Sequence, residues 1–262
     1  MFFHVHTKAM STLPQFLSAI SHFHAKAHLP SPTLSCAVSR ALEGAKRSFG
    51  KPSVSRKIIS LHHLRLFGTH AFSDHVSFVR LRTIWRIFIQ FFALLRFSEV
   101  ASLTFDDLTW TPSGLDIYIK RSKTDQHAKG AIVSLNYNSD SNLCPIRLTK
   151  KYIRVLKYDS GYLLPVMSKK RPDGSTPLKY HSALADFKSL FKFFNLDPAG
   201  YGEHSGRRGG TTAAAAAGAD INELKLQGRW RSDSMPRLYT ENALRLRKDF
   251  ASRLAKVNDI IF

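Results

Sequence analysis

Two adjacent arginines stand beside a histidine and three glycines in the segment HSGRRGG, residues 204–210, directly before the run TTAAAAAGAD. Guanidinium groups stay charged at physiological pH and bind phosphate oxygens in pairs. The first turn of a helix adds free N–H groups and the positive end of the helix dipole. The segment therefore favours an anion site at a helix N-terminus. A solvated basic turn that caps the helix is the alternative.

Four further residues elsewhere in the chain could take part in the same chemistry. Arg96 precedes Glu99 in FFALLRFSEVASL, Lys123 lies in IKRSKTDQ, Trp230 in LQGRWRS and Tyr239 in MPRLYTE. Taken singly, each has an ordinary structural interpretation. Arg96 would form an ion pair with Glu99, and Lys123 would be a solvated turn lysine. Trp230 would belong to the core, and Tyr239 would be a surface aromatic residue. Taken in order, they give R-x-x-E, a hairpin lysine 27 residues after the arginine, H-x-x-R, and G-x-W with a tyrosine nine residues on.

This ordered set resembles the tyrosine recombinase, or phage-integrase, family, and chance seldom reproduces a pattern of so many parts. The resemblance covers residue 58 to the C-terminus, about four fifths of the chain. It implies an enzyme that cleaves and rejoins double-stranded DNA at specific sites. The matching catalytic positions are Arg96, Lys123, His204, Arg207, Trp230 and Tyr239.

The resemblance also assigns the phosphate ligands and the nucleophile. Arg96 and Arg207 would hold the non-bridging oxygens of the scissile phosphate, where negative charge gathers during attack. Tyr239 would attack the phosphorus and form a covalent bond to a DNA 3′ end. The glycines of HSGRRGG would let the backbone approach DNA closely. The alanines after them would let that helix pack tightly beneath the site.

Proton transfer and orientation fall to the remaining positions. A tyrosine hydroxyl has a pKa near 10, so Tyr239 needs a base, and His204 is the candidate. Lys123 on its hairpin would protonate the leaving 5′ oxygen. Trp230 would donate its indole N–H to the phosphate, and Glu99 would orient Arg96. The covalent link stores the bond energy, so the resemblance implies neither ATP, nor a metal, nor a cofactor.

Two assignments have rivals within the sequence. Arg208 competes with Arg207, but the H-x-x-R spacing and the 23 residues from Arg207 to Trp230 favour Arg207. The turn position of SKTDQ favours Lys123 over the other basic residues nearby, which are Lys120, Arg121 and Lys129.

Composition supports a polyanionic partner. Lysine and arginine number 39 against 19 acidic residues, a formal net charge of +20. Such a surface attracts nucleic acid. The sequence offers no amphipathic membrane helix at its start and no apolar run of 18 residues, and it has only two cysteines. We therefore expect an intracellular protein without membrane contact or disulfides, which would lie in the nucleus of a eukaryote and otherwise in the cytoplasm or nucleoid. The scattered histidines lack the partners of a zinc site.

Hydrophobic periodicity predicts a mainly α fold with a small antiparallel β-sheet. We expect a partial all-helical, SAM-like core-binding domain over residues 1–50, a basic linker over 51–57 and a catalytic domain over 58–262. The run FLSAISHFHAKAHLPSPT in the expected core-binding domain is similar to recombinases of eukaryotic mobile elements. The upstream helices of such domains are absent, which indicates a fragment or a degraded copy. The individual elements expected are helices over 12–27, 33–49, 75–95, 98–103, 145–156 and 178–194, three strands within 104–135, a turn at KKRPDGSTP and four short helices from residue 204.

Several functions fit these observations. A site-specific recombinase is the leading hypothesis, and a recombination-inactive DNA-binding protein with the same fold is the main alternative. A type IB topoisomerase uses the same catalytic residue types, arginine, lysine and tyrosine, but the short hairpin and the core-binding resemblance favour a recombinase. The amphipathic stretch 243–261 could pack on its own domain or on a neighbouring protomer in a tetrameric synapse.

Overall fold

The computed structural model describes residues 12–49, 57–122, 129–169 and 171–246. The chain divides into two compact units, Met1–Ser55 and Arg56–Phe262. Most of the expected basic linker, residues 51–56, lies outside the described residues. The assignment of the domains over 1–50 and 58–262 therefore stays a prediction.

The N-terminal unit contains two helices close to the expected ranges. They are α1 (Leu13–Lys26) and α2 (Cys36–Phe49), with a 3-10 turn at Pro32–Leu34 between them. Neither helix buries a side chain within the part of the chain that the structure describes. Phe23 and Leu34 are exposed, as expected when two helices supply too little surface for a core.

The larger unit is mainly helical. Its helices are α3 (Leu61–Ala71), α4 (Phe78–Phe92), α5 (Phe97–Ser102), α6 (Pro145–Leu156), α7 (Tyr180–Phe193), α8 (Ser205–Ala216), α9 (Ile221–Gly228) and α10 (Ser234–Leu246). The sequence analysis missed α3 and began α4 too early; Ser77 caps α4 by accepting a hydrogen bond from the Arg80 N–H. Of the four helices expected after residue 204, three lie among the described residues.

Two small antiparallel sheets complete this unit, and the expected α+β fold class is confirmed. Strands β1 (Leu108–Trp110), β2 (Gly114–Ile119) and β3 (Ala131–Asn136) pair in that order, with Thr109 opposite Asp116 and Ile117 opposite Val133. The part RPDGSTP of the stretch that we interpreted as a turn is strand β5 (Arg171–Pro177), which pairs with β4 (Pro165–Ser168); Lys170 lies outside the described residues. Proline and glycine disfavour central strands, but a two-stranded hairpin consists of edges and tolerates them.

Helix α4 forms the centre of the core and fixes the beginning of α8. The Trp85 ring stacks on Tyr152, with centroids 4.5 Å apart. Two polar residues in the otherwise apolar segment 84–95, Arg86 and Gln90, both hold Glu203. Arg86 pairs with its carboxylate, and Gln90 donates to its carbonyl at 2.7 Å. Burial lowers the pKa of Arg86 to about 9. These contacts anchor the residue immediately before His204.

The glycines of HSGRRGG have a different purpose from the one expected. A Cβ on Gly209 would lie 1.9 Å from the Ile59 carbonyl oxygen, and one on Gly210 would lie 1.9 Å from the Phe91 carbonyl oxygen. These glycines therefore let α8 pack against the protein's own backbone, so the expectation that they serve the approach of DNA was wrong for them.

Replacing Gly209 with alanine should lower the free energy of unfolding by about 2 kcal/mol or more, because the methyl group collides with backbone that cannot turn away. Gly206→Ala is the control, since its Cβ would lie 3.1 Å from the Gln90 Cβ. Alanine also raises helix propensity, so we expect a change within about 1 kcal/mol there. Urea unfolding measures the free energy of unfolding of both variants. Equal losses of that free energy in the two variants would contradict the packing argument.

Candidate active site

Arg96 and Glu99 form the first part of the site, at the start of α5. Arg96 is the N-cap residue, and its guanidinium donates to Glu99 Oε1 at 2.7 Å. Its backbone N–H donates to Glu99 Oε2, also at 2.7 Å. Glu99 is 2% exposed. The predicted ion pair is therefore present, and the carboxylate fixes both the backbone and the side chain of Arg96.

Arg207 lies in the first turn of α8 and points toward the same carboxylate. Its guanidinium donates to the carbonyl oxygens of Leu94 and Gly228. Its Nη1 lies 3.9 Å from Glu99 Oε2, at the outer limit of an ion pair. Arg207 is thus held mainly by neutral carbonyls, which fix its position without neutralising its charge.

Trp230 and Tyr239 extend the site from Arg207 to α10. The Arg207 guanidinium carbon lies 4.6 Å from the Trp230 ring centroid, a cation–π distance. The Trp230 and Tyr239 ring centroids are 5.9 Å apart. A Cβ on Gly228 would meet the Trp230 ring at 2.0 Å, which explains the glycine of G-x-W. The structure therefore brings together Arg96, Glu99, Arg207, Trp230 and Tyr239.

Tyr239 is a buried phenol with arginine neighbours. Burial raises its pKa above the ordinary value of 10.0, while the charges of Arg208 and Arg207 and a side-chain hydrogen bond with Arg208 oppose the shift. Arg208, which we weighed only as a rival of Arg207, therefore contacts the tyrosine itself. The hydroxyl is protonated at neutral pH, so attack on phosphorus requires an acceptor for its proton.

His204 is the N-cap residue of α8 and is exposed. Its carbonyl oxygen accepts a hydrogen bond from the Arg208 N–H at 2.9 Å, which places it one helical turn before the arginines. Its role as a base stays a prediction.

Lys123 lies outside the described residues, within the connection between β2 and β3. Its rival Lys120 pairs with the buried carboxylate of Asp107 at 2.9 Å, and this hydrogen bond raises the pKa of Lys120. Lys120 thus has a structural partner at the end of β2. The preference for Lys123 over Lys120, Arg121 and Lys129 stays a prediction.

Arg229 is a member of the cluster that the sequence analysis missed. It follows α9, and its Nη2 donates to Glu99 Oε2 at 2.9 Å and to the Leu94 carbonyl at 3.0 Å. Its side chain is 9% exposed. No hydrophobic periodicity points to Arg229. The one signal in the sequence for a site role is that a basic residue occupies the central position of G-x-W.

Three arginines thus surround one carboxylate in a poorly hydrated place. Burial lowers the pKa of Arg207 to about 9, assisted by the charge of Arg96 and opposed by Glu99. Burial alone would raise the pKa of Glu99, but Arg229 and Arg96 outweigh it and the net shift is downward. The cluster has more positive than negative charge at neutral pH, and a bound anion would offset the excess.

The described residues contain no group of three or more His, Cys, Asp or Glu side chains placed to hold a metal ion. Every helix in that described part of the chain is too short or too polar to span a membrane.

Comparison with known proteins finds a sequence relative and similar folds, although no family model matches the chain. The chain is 26% identical over 234 residues to an integrase/recombinase xerD homolog of Selenomonas ruminantium, covering 88% of this chain and 68% of that protein. The fold is similar to that of the Tn1549 transposon integrase bound to transposon right-end DNA (TM-score 0.63, 15% identity, 96% of this chain and 80% of that chain). It is also similar to that of the XerH site-specific recombinase bound to difH (TM-score 0.57, 17% identity, 99% of this chain and 75% of that chain).

The resemblance that the sequence predicted is therefore confirmed. The solved structures establish the fold, and the sequence relative is named as a recombinase. The expectation of an enzyme in the integrase/recombinase class is confirmed with it.

Replacing Glu99 with glutamine should destabilise the larger unit by about 3 kcal/mol at neutral pH, because buried arginines lose their counter-charge. The folded pKa of Glu99 lies below its ordinary value of 4.5. The contribution of the Glu99 charge to the free energy of unfolding is therefore complete above pH 4.5 and is lost as the pH falls through the folded pKa. Urea unfolding at descending pH should show the two proteins converging in acid. A difference that stays constant with pH would contradict the ionic role.

Proposed function

We propose that this chain, a tyrosine recombinase by sequence likeness and by fold, cleaves and rejoins double-stranded DNA at specific sites through a covalent 3′-phosphotyrosyl intermediate. The observation that carries the proposal is the unbroken series of contacts from Tyr239 through Trp230 and Arg207 to Glu99 and Arg96. A nucleophile, an aromatic wall and an excess of fixed positive charge converge there.

The two arginines of the motif would bind the scissile phosphate. Arg96 is held by Glu99 and Arg207 by two carbonyl oxygens, so neither guanidinium has to reorganise when charge develops on the phosphate oxygens. The N-terminal turn of α8, which contains Arg207, adds its dipole. The binding free energy of the anion would offset the cost of keeping these cations out of water.

Tyr239 Oη would attack the phosphorus, forming the Oη–P bond as the bond from phosphorus to the leaving 5′ oxygen breaks. The tyrosine proton would pass to His204, one turn before Arg208, which hydrogen-bonds the tyrosine. Lys123 would give a proton to the 5′ oxygen. Rejoining reverses these transfers with a new 5′ hydroxyl. Because the covalent link conserves the bond energy, we propose that neither ATP nor a metal ion is needed.

The net charge of +20 supports double-stranded DNA as the partner. We propose that recombination takes place in a tetrameric synapse, with the stretch 243–261 docking on a neighbour. Its first residue, Ala243, is buried against Ala215 and Leu224 of its own unit, and residues 247–261, which lie outside the described residues, would supply the contact. A protein acting on DNA would work inside the cell, in the nucleus of a eukaryote. The recombination-inactive DNA-binding protein is less favoured, because four of the six catalytic positions form one connected cluster together with Glu99.

Covalent trapping tests this proposal. The DNA would come from the flanks of the encoding element, nicked near the cleavage point so that the short fragment with the free 5′ hydroxyl diffuses away. In EDTA and without ATP, the wild-type chain should give an SDS-resistant protein–DNA band, and Tyr239→Phe should give none because it lacks the nucleophilic oxygen. Tyr137→Phe, which removes the hydroxyl of an exposed tyrosine directly after β3, is the control and should retain the band.

Clear, salt-sensitive DNA binding with no adduct from the wild-type chain would contradict strand transfer and support the inactive DNA-binding protein. An adduct that persists in Tyr239→Phe would assign the nucleophile elsewhere.

A further inference from the structure

We propose that Arg229 is a positioning residue that joins the two segments bearing the arginine site and keeps Glu99 from drawing Arg207 away from a bound phosphate. This inference rests on the proposed function, and it adds a residue outside the six positions of the recombinase motif.

The backbone conformation at Arg229 is one that glycine adopts more readily than arginine. Arg229 has φ +54°, in the left-handed region that L residues with a Cβ avoid and glycine adopts freely. Leu94, whose carbonyl accepts from Arg229, has φ +50°. Lys157, at the end of α6 and away from the site, has the same conformation (φ +59°), so the contacts of its side chain are what distinguish Arg229. Glycine would suit the end of α9 better, so the side chain of Arg229 is the feature that compensates.

That side chain connects two separate segments. One segment runs from the end of α4 into the first turn of α5, and it includes Leu94 and Glu99. The other is the end of α9 with the residue that follows it, Arg229. Arg229 donates to Leu94 O at 3.0 Å and to Glu99 Oε2 at 2.9 Å. Arg207 donates to the carbonyl oxygens of Leu94 in the first segment and Gly228 at the end of α9. The relative position of the segments therefore sets the position of Arg207.

Arg229 also determines which cations Glu99 neutralises. Arg96 occupies Oε1 at 2.7 Å, and Arg229 occupies Oε2 at 2.9 Å, while Arg207 stays 3.9 Å from Oε2. Without Arg229, the buried oxygen would lose a charged donor, and Arg207 is the next cation within reach. A closer pair between Glu99 and Arg207 would compete directly with the phosphate.

The burial of Arg229 separates this role from direct DNA binding. Its side chain is 9% exposed, and its donors already point at Glu99, Leu94 and the Gln227 carbonyl. Loss of Arg229 should therefore alter the alignment of Arg207 during the reaction more than it alters the binding of DNA.

The test compares Arg229→Gly with Lys157→Gly. Lys157 is an exposed, basic residue with φ +59° at the end of α6, so its replacement makes the same backbone change away from the site. With the nicked DNA at saturation, we expect Arg229→Gly to slow single-turnover adduct formation at least about tenfold, with the DNA dissociation constant within about twofold. Lys157→Gly should form adduct at the wild-type rate, and Arg229→Lys should be intermediate.

A wild-type rate for Arg229→Gly, or a loss seen equally in Lys157→Gly, would overturn the inference. So would a loss fully explained by weaker DNA binding, which would make Arg229 a DNA ligand. If the wild-type chain itself forms no adduct, the proposed function fails, and a measurement without DNA decides whether Arg229 joins the segments.

That measurement is a double-mutant cycle in urea with Arg229→Gly, Glu99→Gln and the double variant. If Arg229 acts through Glu99, Arg229→Gly should lower the unfolding midpoint clearly more in the Glu99 protein than in the Glu99→Gln background. Equal shifts in the two backgrounds would overturn the link.

Discussion

The buried carboxylate of Glu99 is the interaction on which the site depends. Three guanidiniums, those of Arg96, Arg207 and Arg229, lie within ion-pair distance of it. Without a counter-charge, cations so close together in a poorly hydrated place would repel one another and destabilise the fold. Because one carboxylate serves three cations, an excess of positive charge remains. The same arrangement that makes the cluster possible leaves it ready for an anion.

The scaffold places this cluster through close backbone packing. Gly209 and Gly210 bring α8 against Ile59 and Phe91, so the helix bearing Arg207 sits directly on α4. Arg86 and Gln90 of α4 then fix Glu203 in front of α8. The position of the site arginine is thus determined by core contacts, and tolerance for substitutions in that core should be low.

Sequence reasoning succeeded where function imposes residue types at fixed spacings. The motif residues Arg96, Glu99, Arg207, Trp230 and Tyr239 were predicted from order and spacing, and the structure brings them together. Long amphipathic helices and the alternating strands were predictable for the same reason, since each has a strong period.

Sequence reasoning failed where an outcome depends on tertiary neighbours. Nothing in the spacing of Arg229 shows that its side chain reaches a carboxylate 130 residues earlier in the chain. The hairpin β4–β5 was hidden by proline and glycine, and α3 by its histidines.

The most direct measurement of the central claim is to identify the residue that carries the DNA. The trapped adduct would be digested with nuclease and trypsin, and the nucleotide-modified peptide sequenced by mass spectrometry. The account predicts modification at Tyr239, within the tryptic peptide LYTENALR that follows Arg237. A nucleotide on any other residue would contradict the claim that this arginine cluster and its tyrosine cleave DNA.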